Sequence, residues 1–340
     1  MRRAVTDGTR ECLLRRATAL LASRNRKGMR TGRILTIALV GALIMGACSG
    51  GSEREQPQDR PSLSTAASEA TGPSGGDRSS LSGRIAFDNF DDVWSINADG
   101  THLARLTRSP EPEFDPTWSP DGTQIAFRFE RNGDPEIWLM NADGSDRRRL
   151  TRGLSPAWSP DGSKIVYASP GEIPCPPGRG RRCTGLSIMN ADGSGQHRLQ
   201  HTDGGEYPSW SPDAKRIAFN SNLTGNHVMY IAHADGSKVV DLSDVGEGWQ
   251  VDWSPDGRSI LFTSHRDHPD NYTDIYVMRP DGSAVRRLTH NVGQTAAWSP
   301  DGDHIVFSAP GLSIMDPDGS DLIVLPTPGL GETTLPDWTN

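Results

Sequence analysis

The stretch HRDHPDNYTD (265–274) gathers His265, Asp267, His268, Asp270 and Asp274 within ten residues. Imidazole nitrogen and carboxylate oxygen together form a donor set suited to a divalent metal. A second group of polar residues recurs at intervals, each a few positions ahead of a tryptophan. It comprises Glu113 and Asp115, Glu206 and Tyr207, Glu247 with Trp249 and Gln250, Gln294 and Thr295, and Glu332 with Thr333. Acids and amides brought together on one rim could orient a peptide or glycan, or hold Ca²⁺ for hydrolysis or elimination. Which chemistry is available depends on the elements that carry these residues.

Those elements are periodic. A first word, WSPDG or a near copy, places Trp at 118, 158, 210, 253 and 298, and the stub PDWTN places a sixth at 338. A second word keeps step with it: NADG at 97–100, 141–144 and 190–193, then HADG, RPDG and DPDG starting at His233, Arg279 and Asp316. Between the words lie short β-rich runs such as QIAFRF (124–129), RIAFNS (216–221) and DIYVM (274–278). Asp-Gly between strands is a hairpin signal, because Gly accepts positive φ and Asp bonds within its own turn. Each repeat therefore reads as four antiparallel strands, the sheet of one propeller blade. The large, flat Trp suits packing one blade on the next.

The first repeat, beginning at Gly83, lacks a Trp strand, and the last segment, Leu335–Asn340, is a Trp strand with nothing after it. Joined, they complete a sixth blade and leave no open edge. The expected fold is all-β, a six-bladed propeller over residues 83–340, closed by its C-terminal strand.

The pattern WSPDG..IAF.S.......IYVMNADGS..RRLT resembles the repeat of the TolB-type propeller family, also called WD40-like bacterial β-propeller repeats, and the resemblance covers nearly all of 83–340. It implies an exported protein whose propeller is a binding platform or the partner of a peptidase domain. It also implies that most of the 265–274 loop is scaffold, since S.RDG....IYVM is the family's ordinary form there. The N-terminal α/β domain of TolB has no counterpart, its place being taken by a Ser/Gly/Pro-rich segment. No Gly-x-Ser-x-Gly elbow is found, and the chain is expected to leave no room for a hydrolase domain. The Asp-box of sialidases is not met either.

The flanking segments agree with export. Arg24 to Arg33 precede an apolar run, Ile34–Met45, and then MGAC ends at Cys48. A basic segment, a short apolar core and small residues before the cut describe an export signal. A Cys at that point resembles the lipobox of bacterial lipoproteins, which implies lipidation of Cys48. The apolar run is shorter than the ~20 residues of a membrane span. Met29 opens a signal of ordinary length, so residues 1–28 lie upstream of the expected start. Residues 49–82 hold almost nothing to bury and read as a tether. Its typical reach is ~30–35 Å.

Cys175 and Cys183, in GEIPCPPGRGRRCTG (171–185), fit a disulfide closing a small loop outside the reducing cytoplasm. The Arg179–Arg182 tip is a candidate contact for an anionic partner. Without the first 47 residues the chain keeps 25 basic and 41 acidic residues, a net of −16. That balance argues against nucleic acid as a partner. The expected molecule is a monomer without a cofactor.

Variable loops on a rigid frame are where binding resides. No His lies among the rim positions, and a propeller enzyme needs His or several carboxylates converging at the channel mouth. A binding or scaffold module for an envelope protein, peptide or glycan is thus the stronger reading. A lactonase-like hydrolase or lyase with a channel metal is the alternative. Trp249 stands apart. The matching positions are Phe114, Leu154, Glu206, Gln294 and Thr334, so repetition does not require it. It reads either as an aromatic anchor beside Glu247 and Gln250 or as a plug in the channel core.

Overall fold

A computed structural model of the chain describes residues 78–171, 183–223, 226–267, 272–309 and 311–340. Cys48, Cys175, His268 and Asp270 lie outside the described residues, as does the Arg179–Arg182 tip. The described chain forms six four-stranded antiparallel sheets.

Blade 1 contains β1 (Arg84–Asp88), β2 (Val93–Asn97) and β3 (Ala104–Arg105). Blade 2 contains β4 (Glu113–Trp118), β5 (Gln124–Arg131), β6 (Asp134–Asn141) and β7 (Arg148–Arg152). Blade 3 follows with β8 (Leu154–Trp158), β9 (Lys164–Ser169), β10 (Gly185–Asn190) and β11 (His197–Asp203). Blade 4 holds β12 (Gly205–Trp210), β13 (Arg216–Ser221), β14 (Val228–His233) and β15 (Val240–Asp241). Blade 5 is built from β16 (Trp249–Trp253), β17 (Ile260–Ser264), β18 (Asp274–Met278) and β19 (Arg286–Arg287). Blade 6 is built from β20 (Ala296–Trp298), β21 (Ile305–Ala309), β22 (Gly311–Met315) and β23 (Ile323–Val324). The last strand, β24 (Thr334–Thr339), returns to blade 1 and pairs with β1, with Trp338 opposite Ile85. The six-bladed ring closed by its C-terminal strand is as the sequence predicts.

Residues upstream of Gly83 also pack on the ring. A 3-10 turn at Arg78–Ser80 leads into Leu81, which is buried in the cluster that joins blades 6 and 1. The Arg78 guanidinium donates to the Val324 carbonyl at 2.8 Å. Gly83 has φ +90, and a Cβ there would sit 2.1 Å from the Thr339 carbonyl oxygen, so only glycine lets the closing strand approach.

The first word is a self-contained turn. Ser119 Oγ donates to Asp121 Oδ1 at 2.6 Å and accepts from the Gln124 N–H at 2.9 Å. Asp121 Oδ1 in turn accepts from the Thr123 N–H. The same bonds recur around Asp161, Asp213, Asp256 and Asp301. They hold these carboxyls below the ordinary range, Asp161 at about 2. Ser and Asp are therefore as necessary to the word as Pro and Gly.

All six repeat tryptophans are buried between neighbouring blades. Trp118 packs with Ala86 and Val93 of blade 1 and with Ile125 of its own blade. The residue opening the second strand covers the next blade's indole: Arg84 lies 4.4 Å over Trp118, and Arg216 lies 4.6 Å over Trp253. Aromatic surface and guanidinium faces thus bind the blades together.

Candidate functional site

The inner strands do not run straight to the rim. In five of the six, the ladder slips three residues before the Trp. Asp115, Ser155, Tyr207, Gln250 and Leu335 stand there with φ between +47 and +52. In four of these strands a proline follows: Pro116, Pro156, Pro208 and Pro336. Proline donates nothing to a ladder, so it sits where the ladder is already suspended. The bulge aims residues inward. Residues from all six inner strands surround a central cavity of about 120 Å³, among them Asp115, Ser155, Tyr207, Gln250, Asp252 and Asp337.

Polar contacts join each blade to the next around this cavity. Asp88 Oδ2 of blade 1 accepts from the Asp115 N–H at 3.3 Å. Asp115 Oδ2 of blade 2 accepts from the Ser155 N–H at 3.1 Å. Between blades 3 and 4 the Trp210 indole donates to the Ala157 carbonyl at 3.3 Å. Ser209 Oγ accepts from the Trp253 N–H, Asp252 from the Trp298 N–H and Thr295 Oγ1 from the Leu335 N–H. Asp337 Oδ2 closes the lower tier on the Trp118 N–H at 2.6 Å.

These carboxylates are poorly solvated. Burial pushes Asp88 up to about 7, aided by the neighbouring Asp115. Burial also pushes Asp252 up to about 7, with Asp337 adding to the effect, and Asp337 itself up to about 6. Asp252 and Asp337 touch the cavity and are half-buried by area, yet the ring of strands withholds bulk water from them. Burial, and then the Asp115 carboxylate, raise the Tyr207 hydroxyl above the ordinary tyrosine range, while Arg128 opposes the shift. The Arg128 guanidinium lies 3.5 Å from Asp115 and 4.4 Å from the Phe114 ring centre. The Gln250 amide makes no hydrogen bond among the described residues.

The residues expected at the rim divide. Asp115, Tyr207 and Gln250 line the cavity. Glu113 is fully buried and paired with Arg147, a structural ion pair away from the rim. Glu206 accepts from Thr184 Oγ1 at 3.2 Å. Gln294 and Glu332 are exposed beside the ring. Glu247 and Trp249 belong to a separate cluster. The Trp249 ring lies 5.0 Å from the His227 ring and 4.7 Å from that of His265, and His265 Nε2 lies 3.2 Å from Glu247. Trp249 is half-buried against these two rings and belongs to none of the buried clusters.

Among the described residues of the 265–274 stretch, His265, Asp267 and Asp274 do not converge. His265 turns to Glu247 and Trp249, and Asp267 accepts from the Tyr276 hydroxyl at 2.8 Å. Asp274 is buried against Arg287 at 2.6 Å and Thr289 at 3.1 Å. Among the described residues no three His, Cys, Asp or Glu side chains are grouped to hold a metal.

Sequence reasoning missed Asp88, Asp252 and Asp337. For Asp337, and for Asp252 by its matching place, the signal was present: proline two residues before the Trp in four repeats marks the bulge, and the residue after it faces the next blade.

A TolB beta propeller domain model matches residues 73–173 and 153–332. A TolB homolog of Chlorobium luteolum is 29% identical over 172 residues, covering 46% of this chain and 35% of that protein. The chain thus spans about a third of that relative's length. Among solved structures, TolB from Acinetobacter baumannii superposes with a TM-score of 0.65 at 22% identity, over 78% of this chain and 67% of its own. A putative TolB from Agrobacterium tumefaciens gives 0.58 at 21%, over 72% and 89%.

Proposed function

The chain belongs to the TolB beta-propeller family, and on that premise we propose that it is an exported, membrane-anchored binding module for a polypeptide in the cell envelope. One observation carries the reading. Asp115, Tyr207 and Gln250 face a cavity at the hub of the ring, and Gln250 adjoins the half-buried Trp249 on β16. A cavity with an acid, a phenol and an amide can orient backbone amides and a basic side chain. An aromatic such as Trp249 supplies contact area at low entropic cost. The carboxylates nearest the hub are already committed to backbone N–H groups, which favours binding over acid-base chemistry.

Trp249 tests this. A photo-crosslinking residue at position 249, in the native envelope, should give a discrete adduct with one protein. The same residue at the exposed Leu322, in blade 6, should not. Trp249→Ala should cost the captured partner ~2 kcal/mol or more of affinity. Its melting should change far less than the ~3–5 kcal/mol expected for a buried Trp. Equal labelling from both positions would remove the hub-side binding reading.

Anchoring rests on the signal that ends at Cys48, and the small disulfide loop rests on Cys175 and Cys183. Buried Cys183 lies beside blade 3. Mass spectrometry of the mature protein, digested without reductant, should find an N-terminal peptide starting at a lipidated Cys48. It should also find a linked Cys175–Cys183 pair. Free thiols at both positions, or an unmodified N-terminus upstream of Cys48, would refute the respective claim.

A further inference from the structure

An open pocket lies away from the hub, on the face that carries the repeated turns. It opens between blades 4 and 5, has a volume of about 440 Å³ and is lined by Arg216, Arg258, Arg279, Pro280 and Asp281. We propose that it is a binding site for a phosphate group, with three guanidinium groups as its donors.

Apart from the packing of Arg216 on Trp253, the scaffold does not require these arginines. Their places recur at every seam: the start of a second strand, the residue after the SPDG turn, and the first residue of the ADG turn. Between blades 2 and 3 these places hold Gln124, Ser163 and Asn190. Between blades 5 and 6 they hold Ser259, Asp303 and Asp316. Asn97, Asn141 and Asn190 use their side-chain amides to close the ADG turn on Thr101, Ser145 and Ser194. Arg279 gives up that closure, and the turn is kept by the backbone bond from the Arg279 N–H to the Ser283 carbonyl at 2.9 Å and by Asp281.

Arg216 is held in place by the Trp253 ring 4.6 Å below it. Arg258 is well exposed, and its nearest carboxylate, Asp256, is 3.9 Å away and already engaged by Ser254. Asp281 is the one acid on the wall. Its Oδ1 is turned to its own loop, accepting from the Ser283 N–H at 2.9 Å. Asp213 and Asp256 also neighbour Arg216 and Arg258, but Oδ1 of each, like that of Asp281, is bonded within its own turn, and the three guanidinium groups are what line the pocket. Arginine presents paired N–H donors that match phosphate oxygens, and a doubly charged monoester suits three of them. A soluble phosphate ester and a lipid phosphate headgroup offer the same chemistry.

The test uses the folded protein and variants that install the residues of sister blades. Arg279→Asn restores the turn closure of blades 1 to 3, and Arg258→Thr copies Thr123. Titration with inorganic phosphate, followed by NMR of the arginine side chains and by calorimetry, should show saturable binding. Each variant should weaken it tenfold or more while melting normally. Sedimentation with vesicles of phosphatidic acid, against phosphatidylcholine, separates the two sources. Arginine-dependent retention assigns the lipid headgroup, and binding of phosphate without retention assigns a soluble ester. Absence of saturable phosphate binding, or equal binding by both variants, would overturn the proposal. Binding at Trp249 is untouched by either result.

Discussion

Removing Leu335–Asn340 abolishes cooperative folding of the propeller. The deletion takes away the inner strand of blade 1 and leaves the β1 edge without its partner. It also removes Trp338, buried among Leu81, Ile85, Val306 and Leu312, whose indole donates to the Ser82 carbonyl at 3.0 Å. Truncating a buried aromatic costs ~3–5 kcal/mol. The Trp118 N–H loses Asp337 at 2.6 Å, and Thr295 Oγ1 loses the Leu335 N–H at 2.9 Å. A buried polar group left unpaired costs about 1–3 kcal/mol. The sum approaches the whole stability of a domain, ~5–15 kcal/mol. Circular dichroism should show a broad or missing thermal transition, and gel filtration should show aggregates. Gly83→Ala is the milder counterpart, since its methyl collides with the Thr339 carbonyl and pushes the same strand away. A truncated chain with the melting curve of the full one would refute closure as the source of stability.

The second large effect is a loss of stability as pH rises from 4 to 7. Asp88, Asp252 and Asp337 release their protons at about 7, 7 and 6 in the folded chain. Unfolded aspartates do so near ~3.9. Between these values the folded state holds more protons, so stability declines as pH rises and levels off above the folded values. Asp121, Asp161, Asp213 and Asp256 act in the opposite sense. Their lowered values give stability above about pH 4 that is lost on further acidification. Stability should therefore peak in mild acid. A tenfold change in a group's proton affinity on folding corresponds to ~1.4 kcal/mol. Urea unfolding at pH 5 and pH 8 should differ by roughly 2–4 kcal/mol after allowance for water in the cavity. Asp252→Asn keeps an acceptor for the Trp298 N–H and carries no charge. It should shrink the difference by about 1–2 kcal/mol. An unchanged difference in that variant would show that Asp252 is ionised at pH 5.

Blade number, strand order and ring closure were legible because each is written as a repeated word at a steady interval. Position within the hub was less so. Counting back from each Trp assumes a straight strand. The slip at Asp115-Pro116 and its counterparts breaks that count by one residue and turns the following side chain toward the next blade. Glu113 thus went inward to Arg147, a partner 34 residues on that no local pattern announces. The half-buried state of Trp249 was open for the same kind of reason. It depends on His227, contributed by the neighbouring blade.

Six repeats of nearly the same wording pose a sorting problem during folding. Blades 3 and 6 even share AWSPDG, and their inner strands are close to interchangeable as isolated pieces. The contacts between blades are not interchangeable. Asp337, Ser209 and Asp252 occupy one slot in blades 1, 4 and 5, while Ala157 and Ala297 fill it in blades 3 and 6. A blade docked out of turn sets an aspartate against a neighbour already bonded elsewhere, or leaves an alanine where an N–H needs an acceptor. A buried carboxylate without its partner is costly. The uniform words build each blade, and the unequal residue before the Trp acts as an address label that fixes its place in the ring.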